Sequence, residues 1–172
     1  MAKLYRCTIC GDAYIGASPP ANCPFCGAHM EYIMEAKDAV VNFDVPLSAK
    51  DRANAEHALK VEISNATFYS CAAGKTDDPE GKVLFKALGK IEAEHASIWE
   101  KILKLASLPP GNETCHTENV GNLKESHARE TRAIEFYRKS AAEADHPRIR
   151  QLFEALVEIE TDHLFLSEER LH

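Results

Sequence analysis

The sequence predicts a mainly α protein, a four-helix bundle preceded by a small metal-binding domain. Three observations predict it. Four of the six cysteines fall in residues 5–27, "YRCTICGDAYIGASPPANCPFCG". From Leu47 onward glycine and proline retreat to a few places and the apolar spacing becomes helical. That helical part also aligns with itself at a shift of 68 residues.

Residues 1–35 come first. Cys7/Cys10 and Cys23/Cys26 form two Cys-x-x-Cys pairs with twelve residues between them. A segment this short buries little core and shows little regular periodicity, so a bound metal has to hold it together. Four thiolates suit a structural zinc or an electron-carrying iron, and the stretch alone leaves both open. Residues 36–46, "AKDAVVNFDVP", read as a linker, and residues 47–172 as the helical domain.

Four helices are predicted there. The first spans about Ser48 to Ala73: Ser48-Ala-Lys-Asp51 resembles a capping box with Asp for Glu, and Gly74 suits the stop. The second spans about Pro79 to Ala106, with Asp78 as N-cap and Pro79 in the first turn. Residues 107–119 form a loop. The third helix spans about Val120 to Ala144, and the fourth about Pro147 to Leu171 with Asp145 or His146 capping. A second helix of this length is about 42 Å long, while twelve linking residues reach at most about 40 Å. Either the second helix ends early or helix pairs are exchanged between two subunits.

The composition excludes several classes. The 172 residues are 45% hydrophobic and 27% charged, ordinary for a globular protein, with a net charge of −7 that argues against a nucleic-acid partner. No apolar run is long enough to cross a membrane. The opening "MAKLYRCTIC" lacks a signal-peptide core, so the expected location is cytoplasmic. There, paired cysteines are more often metal ligands than disulfides, and the sequons at Asn65 and Asn112 are chance matches. Cys71 is expected to be a buried or half-buried thiol. Cys115-His116 in the loop is a weak candidate for an extra metal pair.

The repeat carries the chemistry. "LFKALGKIEAEH" (84–95) falls on "LFEALVEIETDH" (152–163) with seven of twelve positions identical, and Glu62 falls on Glu130. Glu92 and His95 lie one turn apart on one helix face, as do Glu160 and His163. The surrounding faces are apolar, where carboxylates buried alone would be costly. One Glu from each of two helices and a Glu-x-x-His from each of the other two is the ligand set of a di-metal carboxylate bundle. Tyr69 and Tyr137 each follow a candidate Glu by seven residues on the same helix face, either to hold ligand carboxylates in place through their hydroxyls or to pack as core aromatics with a polar tip. Glu94 and Asp162 should point away from the metals, and Trp99 should pack.

On these residues the chain resembles the rubrerythrins, which join a ferritin-like di-iron bundle to a rubredoxin-like Fe(Cys)4 domain. The resemblance rests on "CTICG", "IGASPPANCPFCG", Tyr5, Glu62, "EAEH" 92–95, Glu130 and "ETDH" 160–163. The cysteine-rich part comes first, as in the reverse rubrerythrin group. The resemblance implies one iron on Cys7, Cys10, Cys23 and Cys26, and a di-iron centre on Glu62, Glu92, His95, Glu130, Glu160 and His163, with zinc as a substitute metal. It implies a peroxidase that reduces hydrogen peroxide to water in oxidative-stress defence. Electrons would come from an NAD(P)H-dependent rubredoxin reductase or a rubredoxin. It also implies a homodimer or larger assembly. A ferroxidase, an oxygen reductase or an iron-storage protein on the same scaffold are the alternatives. Many rubrerythrins carry a further Glu one turn after the third-helix ligand. That position is Ala133 here, so the associated ligand exchange lacks its carboxylate; His127, one turn before Glu130, is either a replacement or supporting group for it or, as expected, an ordinary polar helix residue.

Overall fold

Alternation in "KLYRC" turns Tyr5 and Cys7 inward and Leu4 and Arg6 to the more exposed face, the period-two pattern of a half-buried strand. The computed structural model, which describes residues 1–172, places this segment as β1 (Lys3–Cys7) at the centre of a three-stranded antiparallel sheet. Its neighbours are β2 (Ala13–Gly16) and β3 (Ile33–Glu35), with Tyr5 opposite both Tyr14 and Glu35. The segment read as irregular from sequence therefore has a small sheet, too short in each strand to give a periodic signal. Gly11 and Gly27 follow the second cysteine of each pair with φ of +88° and +74°, a left-handed conformation that favours glycine. Residues 39–48 run without regular structure to the first helix.

The helices are α1 (Ala49–Lys75), α2 (Pro79–Leu103), α3 (Asn119–Glu143) and α4 (Pro147–Leu171). α1 packs along α2 and α3 along α4, and the two hairpins close into one bundle within a single chain. Ser48 caps α1 by accepting from the Asp51 N–H at 3.0 Å. Asp51 does not complete a capping box. Its fully buried carboxylate instead accepts from the backbone N–H groups of Asp145 and His146, each at 3.1 Å. Those donors belong to the turn leading into α4, so one side chain joins the start of α1 to the start of α4. Of the two predicted α4 caps, His146 is the one used, accepting from the Arg148 N–H.

Four predicted boundaries shift, on three of the helices. α1 runs through Gly74 to Lys75 and stops at Thr76, whose N–H still bonds the Ala72 carbonyl. α3 starts at Asn119 and ends at Glu143, a residue earlier at each end. α2 ends at Leu103 rather than Ala106, because Lys104 turns left-handed (φ 57°) and closes the helix on the Glu100 and Lys101 carbonyls. Early termination leaves residues 104–118 as the link, a reach of about 50 Å for a helix now about 38 Å long. That reach is enough for the four helices of one chain to close into a bundle.

The returning link lies against α1. Cys115 meets Cys71 there, Cα atoms 5.9 Å apart, in a disulfide. This corrects two expectations: Cys71 is not a free thiol, and Cys115-His116 is not a metal pair, since the sulfur is committed and His116 is exposed. Nothing in the local sequence pairs two cysteines 44 residues apart; the path of the link does. Closing a loop of that length restricts the unfolded chain by about 4 kcal/mol. Cys71→Ser should therefore lower the melting temperature by roughly 10 °C under non-reducing conditions. With excess reductant wild type and variant should melt together; a gap that persisted would assign the effect to packing rather than to the bond.

Candidate metal centres

The cysteine site is built from two matching knuckles. In each, the glycine N–H donates to the carbonyl of the first cysteine at 2.9 Å, Gly11 to Cys7 and Gly27 to Cys23. This wraps the chain so that both thiols of a pair face one point. The N–H groups of Ile9 and Asp12 approach the sulfurs of Cys7 and Cys10 at 3.4 Å, which stabilises thiolates. Across the knuckles, the Sγ atoms of Cys7 and Cys26 are 3.8 Å apart and those of Cys10 and Cys23 are 3.6 Å apart. A tetrahedral ion with metal–sulfur bonds of about 2.3 Å needs sulfur–sulfur edges of about 3.8 Å. All four cysteines are buried and unpaired, and the donor set fits one tetrahedral metal.

The second site lies inside the bundle. α1 supplies Glu62, α2 Glu92 and His95, α3 Glu130, and α4 Glu160 and His163, none more than 1% exposed. Their donor atoms fall into two overlapping groups. One is Glu62, Glu92, His95 and Glu160; the other is Glu92, Glu130, Glu160 and His163; within each, the atoms lie within 4.8 Å of one another. Glu92 and Glu160 belong to both. The arrangement is thus two adjacent positions, each with its own Glu and His, sharing the two carboxylates of the Glu-x-x-His motifs.

These donors are poorly satisfied by one another. Glu62 Oε2, both oxygens of Glu92, Glu130 Oε2, Glu160 Oε1 and His95 Nδ1 are buried without a hydrogen-bond partner. His95 Nδ1 stands 3.4 Å from Glu62 and 3.3 Å from Glu160, and His163 Nδ1 3.0 Å from Glu92. Ligands on one octahedral ion with bonds of about 2.1 Å are separated by about 3.0 Å. Four carboxylates also balance the charge of two divalent ions. The donor set fits a di-metal centre.

Electrostatics describes the cost of the site without cations. Burial pushes Glu62 and Glu130 well above the usual carboxylate range, with neighbouring carboxylates adding to it. Burial acts the same way on Glu92, but His163 and His95 outweigh it and hold Glu92 low. The two imidazoles are pushed down by burial and up by the surrounding carboxylates, and the carboxylates prevail.

The tyrosines cross the bundle. Tyr69 on α1 donates to Glu130 on α3, and Tyr137 on α3 donates to Glu62 on α1. Each hydroxyl therefore fixes the carboxylate of the opposite hairpin, not the one seven residues earlier on its own helix. Tyr69 also meets Ser126 Oγ at 2.9 Å. Asp162 is exposed, Glu94 is half-buried at the edge, and Trp99 packs on Phe153 with ring centroids 4.8 Å apart. His127 lies outside the cluster, paired with Glu168 at 3.1 Å.

The two sites meet in one chain. His95 Nε2 lies 2.5 Å from the carbonyl oxygen of Phe25, the residue before Cys26. Arg148 on α4 donates to the carbonyls of Thr8 and Ile9, inside the first knuckle, at 2.7 and 2.6 Å. A Cβ on Gly27 would stand 2.8 Å from the Ala155 carbonyl oxygen and the Ile159 nitrogen, so glycine is also required by how closely this turn approaches α4. Phe25, Gly27 and Arg148 were not singled out from sequence, and Asp51 was read only as a local cap of α1. Gly27 carried the one usable signal, a glycine directly after a Cys-x-x-Cys pair.

Fold and sites together define a four-helix di-metal carboxylate protein carrying an N-terminal four-cysteine metal domain. Comparison with known proteins places it further. The Rubrerythrin family profile matches residues 54–168, and the profile "Rubrerythrin, rubredoxin-like domain" matches residues 5–34. The chain belongs to the rubrerythrin family, in the reverse domain order. It is 28% identical over 116 residues to Reverse rubrerythrin-1 of Clostridium acetobutylicum, an alignment covering 59% of this chain and 62% of that protein. The match thus spans about three fifths of the relative's length. No solved structure matches. No helix is long and apolar enough to cross a membrane.

Two outcomes are expected. Glu92→Gln or Glu160→Gln should reduce bound metal in the bundle from about two ions to near zero, because each residue serves both positions. Glu62→Gln or Glu130→Gln should weaken chiefly one; metal analysis after dialysis distinguishes these patterns, and equal losses in all four would refute shared carboxylates. Anaerobic Fe(II) loading should also release protons. Glu62 and Glu130, raised in the cation-free site, must ionise to bind, so affinity rises with pH through that range. Titration calorimetry in buffers of different ionisation enthalpy measures the release; heats independent of buffer would count against the assignment.

Proposed function

We propose that this protein reduces hydrogen peroxide to water at a di-iron centre in the bundle, with single electrons supplied through an iron on the four cysteines. The observation that carries this reading is the Phe25–His95 contact. It joins a knuckle of the cysteine site to a candidate ligand of the carboxylate site within one chain.

The two irons, when bound, would supply the two electrons that peroxide reduction needs, and the four-thiolate iron would return them singly. The balance is H2O2 + 2 e⁻ + 2 H⁺ → 2 H2O. The chain's own residues set the conditions. His95 donates its Nε2 proton to the Phe25 carbonyl, which fixes the tautomer and turns Nδ1 toward the carboxylates. The hydroxyls of Tyr69 and Tyr137 hold Glu130 and Glu62 in orientation. Burial of all six donors keeps bulk water away from the reacting oxygens. Arg148 and the close approach at Gly27 keep the small domain seated on α4. The electron donor fitting this scheme is an NAD(P)H-dependent rubredoxin reductase or a rubredoxin, in a cytoplasmic oxidative-stress response.

Cys7→Ser separates the two functions. Steady-state peroxide turnover driven by an external donor should fall at least about 100-fold, while a chemically pre-reduced di-iron centre should still be oxidised by one equivalent of peroxide. Survival of both activities would remove the relay from the scheme. Turnover with oxygen or Fe(II) exceeding that with peroxide would favour the oxygen-reductase or ferroxidase alternative.

A further inference from the structure

The internal repeat relates Asn65 to Ala133, and each lies one helical turn beyond a carboxylate of the di-metal site, Glu62 and Glu130. Both residues line a single cavity of about 190 Å³ between α1 and α3. Its outer part carries the exposed His57 and Arg132, with Phe136 and Arg129 on its walls. Asn65 and Ala133 are only 3% and 2% exposed, so they form its inner end. α1 and α3 pack less closely on each other than each does on its own hairpin partner.

Asn65 is held in one orientation. Its Oδ1 accepts from Arg129 Nη1 at 3.4 Å. That guanidinium is in turn fixed by Ser64 at 2.8 Å, Glu113 at 2.8 Å and Glu125 at 2.9 Å. The amide nitrogen of Asn65 consequently has no partner, although the residue is buried. An orphaned amide donor costs free energy unless something accepts from it. At the repeat-related position Ala133 offers only a methyl group, so the inner wall of the cavity, one helical turn from the fully buried Glu130, is thin there. A buried donor without a partner, an inner wall of one amide and one methyl group, and two fully buried carboxylates one turn deeper describe a port for a small, oxygen-bearing acceptor.

We propose that this α1–α3 cavity is the port by which hydrogen peroxide reaches the di-metal centre, and that the Asn65 amide donates to the incoming oxygen. The proposal rests on the peroxidase reading for its ligand but not for its geometry. The peroxide keeps its O–O bond on passage; the amide only donates a hydrogen bond.

The test uses the full-length, iron-loaded protein. Ala133→Leu fills the inner end and Asn65→Leu removes the donor. Three rates are measured by stopped flow: oxidation of the reduced protein by peroxide, its oxidation by ferricyanide, and azide association with the oxidised centre. Ferricyanide takes electrons without entering. Expected is a fall of at least tenfold in the peroxide and azide rates for Ala133→Leu, with ferricyanide oxidation within about twofold of wild type. Asn65→Leu should slow peroxide about tenfold, the scale of one hydrogen bond. Should Ala133→Leu fail to load iron, His57→Trp narrows the same cavity from its exposed rim and should slow both small probes. Unchanged azide and peroxide rates in the filled protein that loads iron would overturn the port. If wild type does not react with peroxide, the peroxidase reading fails, while the azide arm still decides whether the cavity is the route inward.

Discussion

Four carboxylates enclosed in one bundle interior set the terms for the rest of the molecule. Glu62, Glu92, Glu130 and Glu160 are fully buried, and burial alone drives Glu62 and Glu130 toward their neutral forms. A core does not retain such groups for packing, since each isolated buried charge costs several kcal/mol. Two divalent cations would offset that cost, and the unpartnered oxygens surround the positions they would fill. The surrounding features serve the same constraint. The crossed Tyr69–Glu130 and Tyr137–Glu62 bonds stop the carboxylates rotating, and they tie one hairpin to the other where backbone packing between them is sparse.

The duplicated bundle is nearly symmetric in its donors and asymmetric in its surroundings. His95 and His163 are repeat partners, yet only His95 has its outer nitrogen bonded, to the Phe25 carbonyl; His163 Nε2 has no partner. Docking of the small domain creates this difference. Gly27 lets the second knuckle lie against the α4 backbone, and Arg148 holds the first knuckle through two carbonyls. A hydrogen bond to the far nitrogen makes an imidazole a firmer and more basic ligand. The two metal positions are therefore inequivalent, and the one bearing His95 faces the cysteine site. A second inequivalence, the cavity at Asn65 and Ala133, lies between α1 and α3. In the proposed scheme, electron supply and small-molecule access would use separate faces of the bundle, and the small domain would stay docked during a reaction.

The bundle and its donor set were legible because they are periodic and duplicated. The Glu-x-x-His pairs sit at fixed helical spacing, and the 68-residue shift supplied a second copy to check each position. The paired cysteines carried a comparable signal through their spacing. What escaped the sequence depends on contacts made once, between distant segments. Asp51 looked like a local capping residue but bonds residues 94 and 95 positions away. Cys71 looked like a lone thiol because its partner is placed by the route of a loop. The contacts of Phe25 use a backbone carbonyl, which no side-chain pattern encodes. Asn65 was within reach: the same shift that pairs Glu62 with Glu130 sets its amide against a methyl group.

That loop joins the features that sequence patterns missed. Residues 104–118 are long enough to return along the bundle, and they are fastened at three kinds of contact on the way. Glu113 accepts from Ser64 on α1 and from Arg129 on α3, Cys115 is bonded to Cys71, and Asn122 bonds both backbone groups of His116. Arg129 is adjacent to Glu130 in sequence and orients Asn65 beside the cavity. The loop therefore holds the side chain that holds the amide. A chain segment with no donor of its own fixes the geometry at the inner end of the cavity, and its anchor is a covalent bond between two sulfurs that take no part in either metal site.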